Sequence, residues 1–589
     1  MSDFLFSSEI KPNGFLSSRI KNIYQYNPPE ITDYHGDWGS LSVSRNIYNG
    51  LQPYDTNQHL IVVIGAPVLT FCSNDFLTDD DPVAGTLSIL ERYKSGKIKW
   101  DEDLSGPFTI LIIDKLKREI LCITDMMLSI PVYQFVNNEQ MALGTHVDAL
   151  AQASGQQEDI DQISLTDFIL NNVITFPYTT YTNIRQCPPA TILSFIARAG
   201  LILKYRRLVY WEPIQTNTFD SLNDAAIKLK EAVSGYIDRV TEGMEKVALL
   251  ISGGEDARAV AGMLPEHLEK DSFIFLDHMN RQGLIARKIA KAYGMKFQVV
   301  LRDSTYYLDI LPAASNLIGS GQQYTHAHTI GLYKKCNLPD YPAVFGGFLA
   351  GSLLKTYDAR KSNLQQKMTF LYESVTKKEG QSKPLEHECF DKQVLVLIDQ
   401  RRRELISKLE KYRSDSVHEW FMNWPRTMCY ANSTIAVNRR LFRSYEPFLS
   451  NEVIKIAAAI PVEWRCNRRI FHKAMKPAFK KSKKIPHNKG WFPYYSWWVN
   501  IPIRIIVGFF RRVGYKAGYI KGHQGSWGDR TYLINSEIGE KKFERYPAGN
   551  KIDFLSKNAS DLERKKLTTQ QKLNLLQTMY FMNNKKESS

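Results

Sequence analysis

An α+β N-terminal half, an α/β half built on a parallel sheet and a helical C-terminal extension make up the fold that this sequence predicts. Three observations carry that expectation. Up to about residue 214, short β-branched and apolar runs lie between turn residues. From 215 to about 345, strand-like runs alternate with amphipathic helical ones, the pattern of a parallel sheet with helical crossovers. Beyond about 360 the period is almost purely helical. At 589 residues the chain is long enough for two cored domains, divided here into 1–214 and 215–589.

In the first half, "LIVVIGAPVLTF" (60–71), "GPFTILIID" (106–114), "REILCITD" (118–125), "MALGT" (141–145) and "TILSFIA" (191–197) read as strands. "SILERYKSG" and "SLTDFILNN" read as helices between them. In the second half, Leu222, Ala226, Leu229 and Val233 recur at helical spacing behind a Ser221 cap. Strands are then expected at 246–251, 272–276, 296–301 and 343–345, with helices at 255–264, 281–293 and near 325–335.

Seven scattered cysteines form no C-x-x-C pair, so neither a disulfide framework nor a zinc site is implied. There is no basic segment leading into a long apolar one at the start, and no run of about eighteen apolar residues; the expectation is a cytoplasmic protein. The formal charge of +15 is concentrated: from Phe471 to Lys521 there is no Asp or Glu among many lysines and arginines. Such a stretch suits a polyanion or a solvated basic face. Inside it, "WFPYYSWWVNIPIRIIVGFFRRVGYKAGY" (491–519) mixes aromatics, a short apolar centre and flanking arginines. That composition fits either a membrane interface or core packing, with Pro502 and Gly508 expected to interrupt any long helix.

The most informative stretch is "VALLISGGEDARAVAGML" (247–264), a buried strand running through Ser252-Gly253-Gly254 into a helix. In a parallel sheet, ligands sit beyond the carboxyl ends of the strands. Two glycines let backbone N–H groups approach an anion, and the helix start adds partial positive charge. Ser252 offers a hydroxyl, Asp256 a carboxylate suited to magnesium, and Arg258 either reaches a phosphate or braces the loop.

"SGGEDA" resembles the S-G-G-x-D-S loop of ATP pyrophosphatases, and the order of features along the chain resembles the asparagine synthetase family. "LSGPFTILIIDKLKREILCITD", "IPVYQF" and "ALGTHVDAL" are similar to its glutaminase-type domain. The joining segment through "YWEP", then "SYEPFLSNEVIKIAAAIPVEWR" and "IPHNKGW", follow in the family's order. The resemblance implies an N-terminal nucleophile (Ntn) hydrolase-like β-sandwich with helices, followed by an ATP-pyrophosphatase domain. It also implies an ATP-dependent, magnesium-assisted ligase that activates a carboxylate as an acyl-adenylate and passes it to an amine. Ser252, Gly253, Gly254, Asp256 and Arg258 would bind ATP, with Asp256 holding the metal. Lys489, by its match to the family's late lysine, would contact phosphate charge, or be one more lysine of a basic tail. Glu446 would handle the amine's proton, or serve as a helix start.

This sequence departs from the family at several points. The family's N-terminal cysteine is absent: Ser2 follows Met1, and "MSDFLFSSEI" does not read as a buried first strand. "IGAPV" (64–68) replaces the glutamine-holding stretch, Ala257 the last serine of the loop, and Ser450 an aspartate. "AVFGGFLAGSLLKT" (343–356) has no acid where the family places metal-holding carboxylates; the first is Asp358. The expectation is therefore a ligase without glutaminase activity, using ammonia or a substrate amine, as in β-lactam synthetases and lasso-peptide cyclases. The alternative is a catalytically inactive scaffold. Expected partners are a small-molecule, lipid-linked or saccharide-linked carboxylate and an anionic membrane at its inner face. Nucleic acid is not expected, and a homodimer is compatible with the reading.

Overall fold

The computed structural model describes residues 2–24, 28–137, 140–198, 201–355, 387, 389–414, 416–519, 523–546 and 566–584. Asp358 lies outside them. The N-terminal half holds two six-stranded antiparallel sheets. One runs in the order Ile184–Gln186, Tyr133–Val136, Met141–Gly144, Phe4–Ser7, Gly39–Ser44, Ile31–Gly36. The other runs Leu201–Val209, Thr191–Arg198, Glu119–Thr124, Phe108–Asp114, His59–Gly65, Tyr54–Asp55.

Period-two alternation decides the layering. Phe4 and Phe6 of one sheet meet Leu60, Val62, Leu111 and Ile113 of the other in a shared inner core. Leu5, between the two phenylalanines, faces the opposite way and packs with Leu16 and Ile20 of the helix Phe15–Ile23. Ile61, Val63, Ile110 and Ile112 turn outward to a further core that includes Val247, Leu249, Val260 and Phe448 of the second half. The halves thus share a continuous apolar interior.

The second half is centred on a five-stranded parallel sheet, ordered Lys296–Leu301, Glu269–Leu276, Lys246–Leu250, Val344–Phe345, Ser444–Tyr445. From Lys246–Leu250 the chain builds outward on one side through two strands, then returns to build on the other. Lys246–Leu250 therefore stands at the topological switch point, where a crevice opens beyond the strand ends.

Three expectations change. "MSDFLFSSEI" does supply a buried strand, Phe4–Ser7, in the interior of its sheet; polar Asp3 masks it in the sequence. The helix expected near 325–335 is two 3-10 turns, Tyr324–His326 and Lys334–Cys336. The Tyr306 hydroxyl there donates to His328 O at 2.5 Å and accepts from Gly331 N at 3.2 Å, engaging groups a helix would have used. Finally, Trp497–Lys516 is one 20-residue helix despite Pro502 and Gly508. Its first turns are supported by the Asn500 amide, which donates to the carbonyls of Phe492, Tyr495 and Ser496.

Candidate functional site

The strand Lys246–Leu250 ends in a turn, and the helix Asp256–Met263 follows it. Within the turn, Gly254 N donates to Ser252 Oγ at 3.2 Å, and Asn488 N donates to Gly253 O at 3.0 Å. A Cβ on Gly347 would lie 2.3 Å from Ala257 N, and one on Gly346 would overlap the Glu446 carboxylate. The two glycines of "AVFGGF" are thus required by close packing: the end of one strand passes against the start of the helix and against Glu446.

A cavity of about 360 Å³ opens at this switch point. Ser252, Gly254, Asp256, Glu446 and Lys489 line it. Gly253 lies in the same turn, tied to the 485–491 loop. Arg258 is directed elsewhere: it is buried and its guanidinium donates to Ile485 O at 2.7 Å and Pro486 O at 3.1 Å. Of the two roles open to it, position gives it the brace. Arg258 and Gly253 together seat the loop that carries Lys489, while His487 stacks on Trp491 at 4.0 Å to stiffen it.

Four buried polar atoms on cavity-lining residues have no hydrogen-bond partner among the described residues: Gln282 Oε1, His328 Nδ1, Asn488 Oδ1 and Trp491 Nε1. Buried polar groups left unmatched are costly, and these four belong to residues around the cavity.

The electrostatics differ from those of a metal site. Lys355 is buried and its ammonium pairs with Glu255 at 2.8 Å and with Asp256, while Arg468 pairs with Glu255. The Lys355 ammonium also lies 3.8 Å from the Phe471 ring centroid. Two carboxylates are balanced by two cations, and among the described residues no group of three His, Cys, Asp or Glu is arranged to hold a metal. The described residues therefore do not by themselves form a magnesium site. Asp256, the residue expected to hold the metal, has its carboxylate paired with the Lys355 ammonium.

Glu446 is 5% exposed and accepts from Phe348 N at 2.9 Å. Burial pushes its carboxyl up to about 8, although that N–H and the charge of Arg426 favour the ionised form. Because this exceeds its ordinary value of 4.5, the folded protein keeps a proton that the unfolded chain releases. Stability contributed below pH 4.5 is lost as pH rises through about 8, at about 1.4 kcal/mol per pH unit inside that window. Glu446→Gln is expected to remove this slope. Urea unfolding at several pH values between 5 and 9 tests it, and an unchanged slope in the variant refutes the assignment.

Sequence reasoning missed Lys355, Arg302, His328 and Trp527, all lining the cavity. Arg302 directly follows the strand Lys296–Leu301, so the strand-end rule applied to every strand would have found it. Its Nε donates to Asp277 at 2.8 Å and its Nη2 to Ser526 O at 2.6 Å. Trp527 packs against His328 at 4.7 Å. No local sequence signal marks Lys355 or Trp527.

Ser2 lies outside this cavity. It is fully buried, and its Oγ accepts from Gly65 N, within "IGAPV", at 3.3 Å. No imidazole, amine or carboxylate hydrogen-bonds that Oγ among the described residues. Asp3 is clamped between Arg439 and Arg440.

Residues 78–206 match the glutamine amidotransferase domain family. Two solved structures are similar at 9% identity and a TM-score of 0.22. One is that of the allosteric regulatory enzyme of purine biosynthesis, with 51% of this chain and 80% of that chain covered. The other is glutamine phosphoribosylpyrophosphate amidotransferase from B. subtilis complexed with ADP and GMP, with 54% and 92% covered. No curated protein sequence matches the chain.

Proposed function

We propose that this chain is an asparagine synthetase-like, ATP-dependent amide-forming ligase, built from an Ntn-type amidotransferase domain and an ATP-pyrophosphatase domain. The observation that carries this reading is the turn Ser252–Glu255 at the switch point, opening with Glu446 and Lys489 onto one cavity. Triphosphate would lie on the turn amides and the start of the helix Asp256–Met263, with Lys489 against its charge. Any magnesium carried on those phosphates belongs to the substrate.

A carboxylate oxygen of the acid attacks the α-phosphorus, and the bond to pyrophosphate breaks. An amine then attacks the acyl carbon, the bond to AMP breaks, and the amine's proton passes to ionised Glu446. Amide formation is therefore expected to rise with pH through about 8. In this reading the amine is ammonia or an amine of the substrate.

ATP–pyrophosphate exchange with panels of carboxylic acids tests this. Exchange is expected, and Lys489→Ala is expected to slow it about 100-fold, the scale of losing one donor to transition-state charge. Absence of exchange, together with no ATP affinity by calorimetry, overturns the ligase. It would favour an inactive scaffold, the reading to which the Lys355–Asp256 pair lends support.

A further inference from the structure

The helix Trp497–Lys516 has two unlike faces. Asn500 exchanges hydrogen bonds with Phe492, Val507 packs closely on Gly490, and the Arg504 guanidinium sits 4.9 Å from the Trp491 ring. This face fastens the helix to the loop that lines the cavity. Ile505, Ile506, Phe509, Phe510 and Val513 recur three to four residues apart on the other side, with Trp498 two turns before Ile505, and all are exposed among the described residues. Trp498 and Phe510 expose 65% and 67% of their surface. An aligned row of large apolar side chains in water marks a surface that something covers.

We propose that this face is a docking surface for an anionic lipid bilayer, with the helix lying in the plane of the interface. Charge complementarity selects that occupant. Arg512 and Lys516 border the apolar row, and residues 471–521 contain no acid. A second copy of the chain would set these cations against their own kind, and a nucleic acid would leave the apolar row unmatched. No helix of the described residues is long and apolar enough to cross a membrane. An apolar face with basic flanks binds interfaces by buried area plus attraction to anionic headgroups. Docking here would bring the Lys489 loop to the lipid surface.

The test is flotation of the full chain with vesicles of equimolar phosphatidylcholine and phosphatidylglycerol, beside vesicles of phosphatidylcholine alone. The protein is expected to float with the anionic vesicles and to be released by salt. Phe509→Glu/Phe510→Glu is expected to lower partitioning at least about tenfold, since two inserted rings are lost. Both side chains are exposed, so its melting midpoint should match the parent. Arg512→Glu/Lys516→Glu should weaken binding to anionic vesicles and leave neutral ones unaffected. No flotation, or flotation indifferent to both variants, overturns the proposal. So does a dimer that Phe509→Glu/Phe510→Glu dissociates without any vesicle binding, which assigns the face to a second copy.

Discussion

Arg440→Met is expected to lower folding stability by about 3–5 kcal/mol, the cost of removing the main partner of a buried charge. The charge is Asp3, 1% exposed, which Arg440 meets through Nε at 2.8 Å and Nη2 at 2.6 Å. Arg439 adds a contact at 3.1 Å, and the hydroxyls of Tyr24 and Thr145 donate at 2.5 and 2.7 Å. Burial opposes ionisation, yet these partners hold the Asp3 carboxyl well below the ordinary carboxylate value. Its contribution is therefore present above pH 3.8 and lost as pH falls toward the folded-state value. Both arginines lie on the helix Asn432–Leu441, while Thr434 and Asn438 of that helix line the cavity. The pair thus ties the first strand of one half to the wall of the site in the other.

Guanidinium unfolding curves check this. Asp3→Asn/Arg440→Met should recover part of the loss, because the paired charges leave together while Arg439 keeps its burial and loses its carboxylate, giving a coupling above about 1 kcal/mol. Simple additivity of the single variants, or a cost for Arg440→Met within about 0.5 kcal/mol of the parent, would reject the staple.

Much of this architecture was legible because period and punctuation are local. The largely β-branched apolar run Leu60 to Ile64 and the sequence Leu250 to Asp256 each announce their element within a few residues. Glu446 and Lys489 came into view through similarity of short motifs, and both line the cavity. What stayed hidden depends on distance along the chain. Asp3 looks like a strand breaker until Arg440, 437 residues away, neutralises it. The strand Ser444–Tyr445 is two residues long and carries no period; it is fixed by parallel pairing to Val344–Phe345 and by Tyr48, whose hydroxyl accepts from Ser444 N at 3.1 Å. The exposed face of Trp497–Lys516 has a helical apolar repeat, but only the fold shows which side of it is already packed.

Lys355→Met should be the other costly substitution, at about 1.5–3 kcal/mol, the scale of a hydrogen bond to a charged group, because it strips Glu255 and Asp256 of their shared counter-ion. Arg468 still compensates Glu255, so the uncompensated charge falls on Asp256. Asp256→Asn in the same chain should therefore restore stability more than Glu255→Gln, which would also strand Arg468. The variant separates two ways of answering phosphate charge. In the parent, a fixed ammonium occupies the carboxylate that a metal would need, so magnesium without nucleotide should leave the melting midpoint unmoved. In Lys355→Met the released carboxylate is an oxygen ligand with no cation, and magnesium should raise the midpoint by mass action. Differential scanning fluorimetry across a magnesium titration distinguishes the cases. If the parent is stabilised as strongly as the variant, Asp256 exchanges lysine for metal freely, and the ion pair does not govern the site.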